Sequence, residues 1–154
     1  MIGLLALPLA LQAVAMFFDE VHFHRQRGLS RWERVGHPLD TLTVLACFAV
    51  AIAAPATTRW LVVYVALSAF SCLFVTKDEP IHTRDCSPGE HWLHAILFVL
   101  HPIALAAVAF LWIRGLRSFV VAQTALTLAF GGYQLLYWNL FWRPSWIRRP
   151  TRVR

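Results

Sequence analysis

Apolar residues in this chain run in five long blocks, and polar residues collect between them. The blocks cover residues 1–18, 39–54, 60–76, 92–113 and 119–142. A membrane-crossing helix needs about 20 apolar residues, within a range of roughly 17 to 25. The expectation is therefore an all-α integral membrane protein, a bundle of about five transmembrane helices. The second and third blocks are at the short end, so a four-helix form with those two as a re-entrant pair is the alternative. Residues 1–142 would make one transmembrane domain, and 143–154 a basic cytoplasmic tail.

Two polar segments separate blocks on the same side. In the first, Ser30-Arg31-Trp32-Glu33 has the form of a capping box, in which Ser and Glu satisfy each other's backbone N–H groups. It predicts a short interfacial helix, with Trp32 and Val35 toward lipid and Arg31 and Arg34 toward head groups. His37-Pro38 would end it, because the residue before proline avoids the helical region. In the second, Ser87-Pro88-Gly89-Glu90 is another capping box, so the fourth helix is expected to start at Pro88.

Composition agrees with this pattern. The chain of 154 residues is 58% hydrophobic and 14% charged, against about 25% charged in soluble domains. Its net charge of +6 is not a nucleic-acid signal, because no soluble basic domain carries it. Eleven of the fourteen Lys and Arg fall on one expected side, and only Arg59, Arg114 and Arg117 on the other. The positive-inside rule then puts the N-terminus outside, and both polar segments and the tail in the cytoplasm of a bacterial inner membrane. Trp60, Trp92, Trp112, Trp138 and Trp142 stand near block ends, as interfacial belts require. Ala13-Val14-Ala15 is passable as a leader cleavage site, but the basic region that should precede it is missing, and cleavage is not expected. Cys47, Cys72 and Cys86 make no disulfide framework.

The distribution of chemistry-bearing groups is the sharpest signal. All seven histidines and all eight acids map to the cytoplasmic side of the bundle or the helix ends nearest it. On the fourth helix, Glu90, His94 and His101 fall within about 40° of one another at 100° per residue. His91 stands three residues from His94. His101 is about 10 Å further along the axis than His94, too far to share one ion with it. At the inner end of the first helix, Asp19-Glu20-Val21-His22-Phe23-His24 pairs Asp19 with His22 and Glu20 with His24, spacings like those of ligand pairs in di-iron bundles. Glu79-Pro80-Ile81-His82 offers another carboxylate–imidazole pair, and His37 flanks Asp40 by one turn. Polar groups at membrane depth usually have a function.

The expected metal ligands are Asp19, His22, His82, Glu90, His91 and His94, with Glu20, His24, His37 and Glu79 in reserve. Glu90 and Glu20 are candidate acid–base groups, Cys86 a soft ligand or nucleophile, and Tyr137 and Asn139 supporting partners. Mixed imidazole and carboxylate ligands suit iron, manganese or zinc. No nucleophile elbow, phosphate loop or dinucleotide fingerprint is present.

His91-Trp92-Leu93-His94 and His22-Phe23-His24 resemble, over those two short segments, the boxes of the histidine-box membrane hydroxylases and desaturases. The doubled histidine of those families is absent. A second likeness, to membrane zinc hydrolases of the ceramidase type, rests on His and Asp at helix ends. What these resemblances imply is a metal-dependent enzyme. The leading expectation is a non-haem iron oxidoreductase, with one or two iron ions, acting with an electron donor on a lipid or other apolar substrate. A zinc hydrolase is the alternative. A haem-binding protein, using His94 or His101, or a metal or proton transporter is the non-enzymatic alternative.

Overall fold

The computed structural model describes residues 2–142, and the expected basic tail lies outside the described residues. Among the described residues five helices are long and apolar enough to cross a membrane. They are α1 (Gly3–Arg27), α2 (Arg31–Ala53), α3 (Thr58–Asp85), α4 (Pro88–Ile113) and α5 (Arg117–Phe141). No strand occurs among these residues. The second and third apolar blocks belong to helices of 23 and 28 residues, not to two half-length pieces. Short connections make chain neighbours antiparallel, so the ends of α1, α3 and α5 meet the starts of α2 and α4 at one end of the bundle.

The separate interfacial helix is not observed. Its residues are the first two turns of α2, which runs unbroken through Pro38. A proline inside a helix removes one backbone hydrogen bond, here to the carbonyl of Arg34. The complete Ser30–Glu33 capping box starts the helix well before that point. The α1–α2 connection is correspondingly tight. Gly28 sits at φ +80°, and a Cβ there would also come within 2.6 Å of the Trp142 ring. The second polar segment is helical as well. A 3-10 turn over Val75–Asp78 leads into Glu79–Asp85, where Pro80 occupies the first turn and needs no N–H donor.

The apolar core fills the half of the bundle away from the polar end. Phe48, Tyr64, Leu105, Leu111, Trp112 and Val120 are its main side chains. Its polar atoms are satisfied: the Tyr64 hydroxyl donates to the Leu105 carbonyl at 2.8 Å, and Trp112 Nε1 to the Ala54 carbonyl at 3.0 Å. Close approach of α2 and α5 depends on Gly131, where a Cβ would lie 2.7 Å from Thr41 Cγ2. Outward, large apolar side chains such as Leu4, Leu42, Val62, Leu73, Val99 and Leu128 are exposed. A surface so apolar on every helix is suited to lipid, not to water.

Candidate metal centre

Four of the five helices bring a histidine to the polar end of the bundle. The first comes from a π-helical turn over Asp19–His24. Such a turn closes hydrogen bonds from i to i+5, so residues five apart come to one side. Asp19, Glu20 and His24 are therefore buried together. α2 contributes His37 from its second turn. α3 contributes His82 after its 3-10 turn, and α4 contributes Glu90 and His94, one turn apart.

Asp19, His24, Glu90 and His94 form the tightest group, and all four are buried. Each offers one ligand atom, and these atoms lie within 4.8 Å of one another. Asp19 Oδ2 is 3.1 Å from His94 Nε2 and 3.2 Å from His24 Nε2. His24 Nε2 is also 4.0 Å from Glu90 Oε1. The His24 ring is set from behind: its Nδ1 faces Glu20 Oε2 at 3.3 Å. Glu20 Oε1 in turn accepts from Trp138 Nε1 at 2.7 Å and from the Tyr133 hydroxyl at 3.0 Å. A carboxylate behind an imidazole is the usual means of aiming a metal-ligating histidine.

Several buried atoms here make no hydrogen bond within the protein, although His24 Nε2 stands 3.2 Å from Asp19 Oδ2. They include Asp19 Oδ1, His24 Nε2, His37 Nε2, both nitrogens of His82, and His94 Nδ1. Buried polar atoms are ordinarily paired, and leaving one unpaired costs about 1–3 kcal/mol. Each belongs to a group of residues whose ligand atoms lie within 4.8 Å of one another, an arrangement that fits a shared cation.

Charge points the same way. Six carboxylates gather at this end: Asp19, Glu20, Glu33, Asp40, Asp78 and Glu90. Arg27 bridges two of them, reaching Glu33 Oε1 at 2.7 Å and Glu90 Oε1 at 3.0 Å. Lys77 Nζ bridges two more, at 2.7 Å from Asp40 Oδ1 and 2.9 Å from Asp78 Oδ2. Among the described residues, the basic partners of Asp19 and Glu20 are imidazoles alone. The carboxylates without a fixed cation are thus the ones beside the unpartnered imidazole nitrogens.

Two further groups adjoin the first. His82, Cys86 and His94 bring ligand atoms within 4.8 Å of one another, and so do His37, Asp40 and Asp78. The His82 and His94 rings are 4.1 Å apart, and the His24 and His37 rings stack at 5.1 Å. Burial pushes the Cys86 thiol up, well above its ordinary value.

Of the expected ligands, Asp19, His24, His82, Glu90 and His94 come together, with His37 beside them. His22 does not join: the π turn rotates it outward, where it stacks on Phe18 and meets Gln26. His91 is half-buried and stands outside the three groups. Glu79 does too, because the 3-10 turn carries its neighbour Asp78 inward. Glu90 does not return to cap its own helix; Ser87 Oγ accepts from the Glu90 backbone N–H, while the carboxylate binds Arg27. Tyr137 stacks on Tyr133, which is the tyrosine that reaches Glu20. Asn139 is exposed and donates to the Leu135 carbonyl of its own helix. His101 has both ring nitrogens engaged, one with Ser71 Oγ at 3.0 Å and one with Gln12 at 3.2 Å. That leaves it no free nitrogen for haem. Glu33, Asp78, Arg27 and Lys77 are not foreseeable as site residues from spacing alone; the excess of acids at one end is the signal that half-buried cations stand among them.

A cavity of about 360 Å³ runs from the cluster into the bundle. That is within the roughly 300–1,000 Å³ usual for ligand pockets. Asp19, His24, His37, His82 and His94 form its polar end, and Met16, Leu97, Phe98, Leu105 and Phe130 line its depth. Phe17 of α1 and Leu126 of α5 also line it, yet are 63% and 64% exposed. The cavity therefore opens sideways, between α1 and α5. Comparison with family models, curated proteins and solved structures finds no match.

Proposed function

We propose that this protein is a metal-dependent integral membrane enzyme that oxidises a lipid or other apolar molecule. The single observation that carries the proposal is the set of buried, unpartnered imidazole nitrogens around Asp19 at the head of an apolar cavity. Asp19, His24, Glu90 and His94 would hold the ion, and Glu20 would aim His24. Mixed nitrogen and oxygen ligands suit non-haem iron, which supplies the activation of dioxygen when bound. The apolar chain enters from the bilayer between α1 and α5, past Phe17 and Leu126. Hydroxylation balances when one oxygen atom enters a C–H bond, the other leaves as water, and a donor supplies two electrons with two protons taken from solvent. The positive-inside bias favours a cytoplasmic location for this end, where such donors are found.

A zinc hydrolase is the second reading. Asp19 Oδ1 favours it, being a buried carboxylate oxygen without a partner and able to take a proton from a metal-activated water. The two readings separate on one assay. Protein reconstituted with ferrous iron in bacterial lipid vesicles, given dioxygen and a reductant, should yield lipids that gain oxygen or lose hydrogen by mass spectrometry. His94→Ala should yield none. Oxygen-independent release of fatty acid in a zinc-loaded sample, with no oxidised lipid in the iron-loaded one, would replace the first reading with the second.

A further inference from the structure

The group formed by His82, Cys86 and His94 has no part in the ligand set just assigned, apart from His94. His82 is buried, and neither of its ring nitrogens has a partner. Its nearest carboxylate oxygen, on Glu33, is 4.0 Å away and already accepts from Arg27. Cys86 follows His82 by one helical turn and faces the same side. We infer that His82, Cys86 and His94 form a second, thiolate-containing cation site that takes a borderline-soft divalent ion of the zinc type and shares His94 with the first, one ring nitrogen to each ion, the ring giving up its N–H proton to bridge as imidazolate. This rests on the metal-centre reading above and deepens it.

The geometry suits one ion. Tetrahedral bonds of about 2.1 Å to nitrogen and about 2.3 Å to sulfur put ligand atoms about 3.4–3.6 Å apart. The ligand atoms lie within 4.8 Å of one another, so side-chain shifts of up to about 1 Å close them on an ion. The chemistry differs from that of the first site. Thiolate with imidazole selects zinc-like ions, whereas imidazole with carboxylate suits iron or manganese. An ion at this site would displace the proton of the half-buried thiol. The third group is already served. Lys77 Nζ lies 2.7 Å from both oxygens of Asp40 and 2.9 Å from Asp78, so an ammonium neutralises those carboxylates. The centre is therefore asymmetric: two adjoining ion sites of different softness, and a lysine in place of a third ion.

The test uses the full chain, purified in detergent, stripped with chelator and titrated with cobalt(II). Two cobalt ions per chain are expected, one of them giving a near-ultraviolet thiolate-to-cobalt band. Cys86→Ala should bind one and lack the band. A second measurement needs no variant: at cobalt about ten times above the dissociation constant, alkylation of Cys86 in the unaltered chain should slow about tenfold. One cobalt per chain with no thiolate band and no protection of Cys86 overturns this inference while leaving the first site standing. No cobalt at all overturns the metal centre itself. A band that survives in Cys86→Ala assigns the thiolate to another cysteine and also overturns the inference.

Discussion

At the scale of single residues, the account turns on which nitrogen and oxygen atoms have partners. His24 illustrates the logic, since Glu20 engages Nδ1 and leaves Nε2 facing Asp19. Removing a carboxylate behind a metal-bound histidine typically weakens metal binding about 10–100-fold. Glu20→Gln is therefore expected to weaken cobalt binding by that factor without abolishing it; an unchanged affinity in a titration would show that Glu20 does not aim the ring. Arg27 plays a different part, since it neutralises Glu33 and Glu90 at once. Arg27→Met leaves two buried carboxylates uncompensated and should destabilise the protein by about 3–5 kcal/mol, read as a lower thermal midpoint in detergent. At this scale the sequence was a partial guide. The clustering of imidazoles and acids at one end is legible in the chain. The choice between His22 and His24 is not, because a straight α-helical phase cannot anticipate a π turn. Nor is the choice between Asp78 and Glu79, adjacent acids that a 3-10 turn separates.

At the scale of elements, hydropathy makes five helices legible, because a run of apolar residues long enough to cross a bilayer has few other uses. It does not make their ends legible. The capping box at Ser30 predicts a separate interfacial helix, whereas in the structure it starts α2 itself; Pro38 argues for a break that is absent, since one lost hydrogen bond is outweighed by the turns on either side. Helix pairing is less visible still. Gly131 is one glycine among seven in the sequence, and only the fold reveals that Thr41 packs on it. Gly131→Leu should force α2 and α5 apart and cost about 1–3 kcal/mol, the usual range for overpacking. A thermal midpoint equal to that of the parent would show that the two helices are free to separate there.

At the scale of the whole molecule, a polar cluster at one end and an apolar cavity with a sideways mouth make sense only together. On the reading proposed above, the cavity would receive an apolar chain and the cluster would meet it at the polar end of the bundle. Ala13 lines the cavity on α1 and is exposed at the side. Ala13→Trp should therefore block the mouth, lowering turnover of a lipid substrate severalfold while leaving metal content unaltered. Equal turnover would place the substrate's entrance elsewhere. The cavity is not legible in the sequence, because it depends on how α1 and α5 splay from one another.

The most direct measurement is the metal content of detergent-purified protein, taken for the unaltered chain and for His94→Ala, Asp19→Asn and His22→Ala. The account predicts stoichiometric metal in the unaltered chain and in His22→Ala, whose ring faces outward. It predicts strong depletion in folded His94→Ala, whose imidazole serves both sites, and loss of the first-site ion in folded Asp19→Asn. Metal retained at the parent level in both of those variants, or lost in His22→Ala alone, would contradict it.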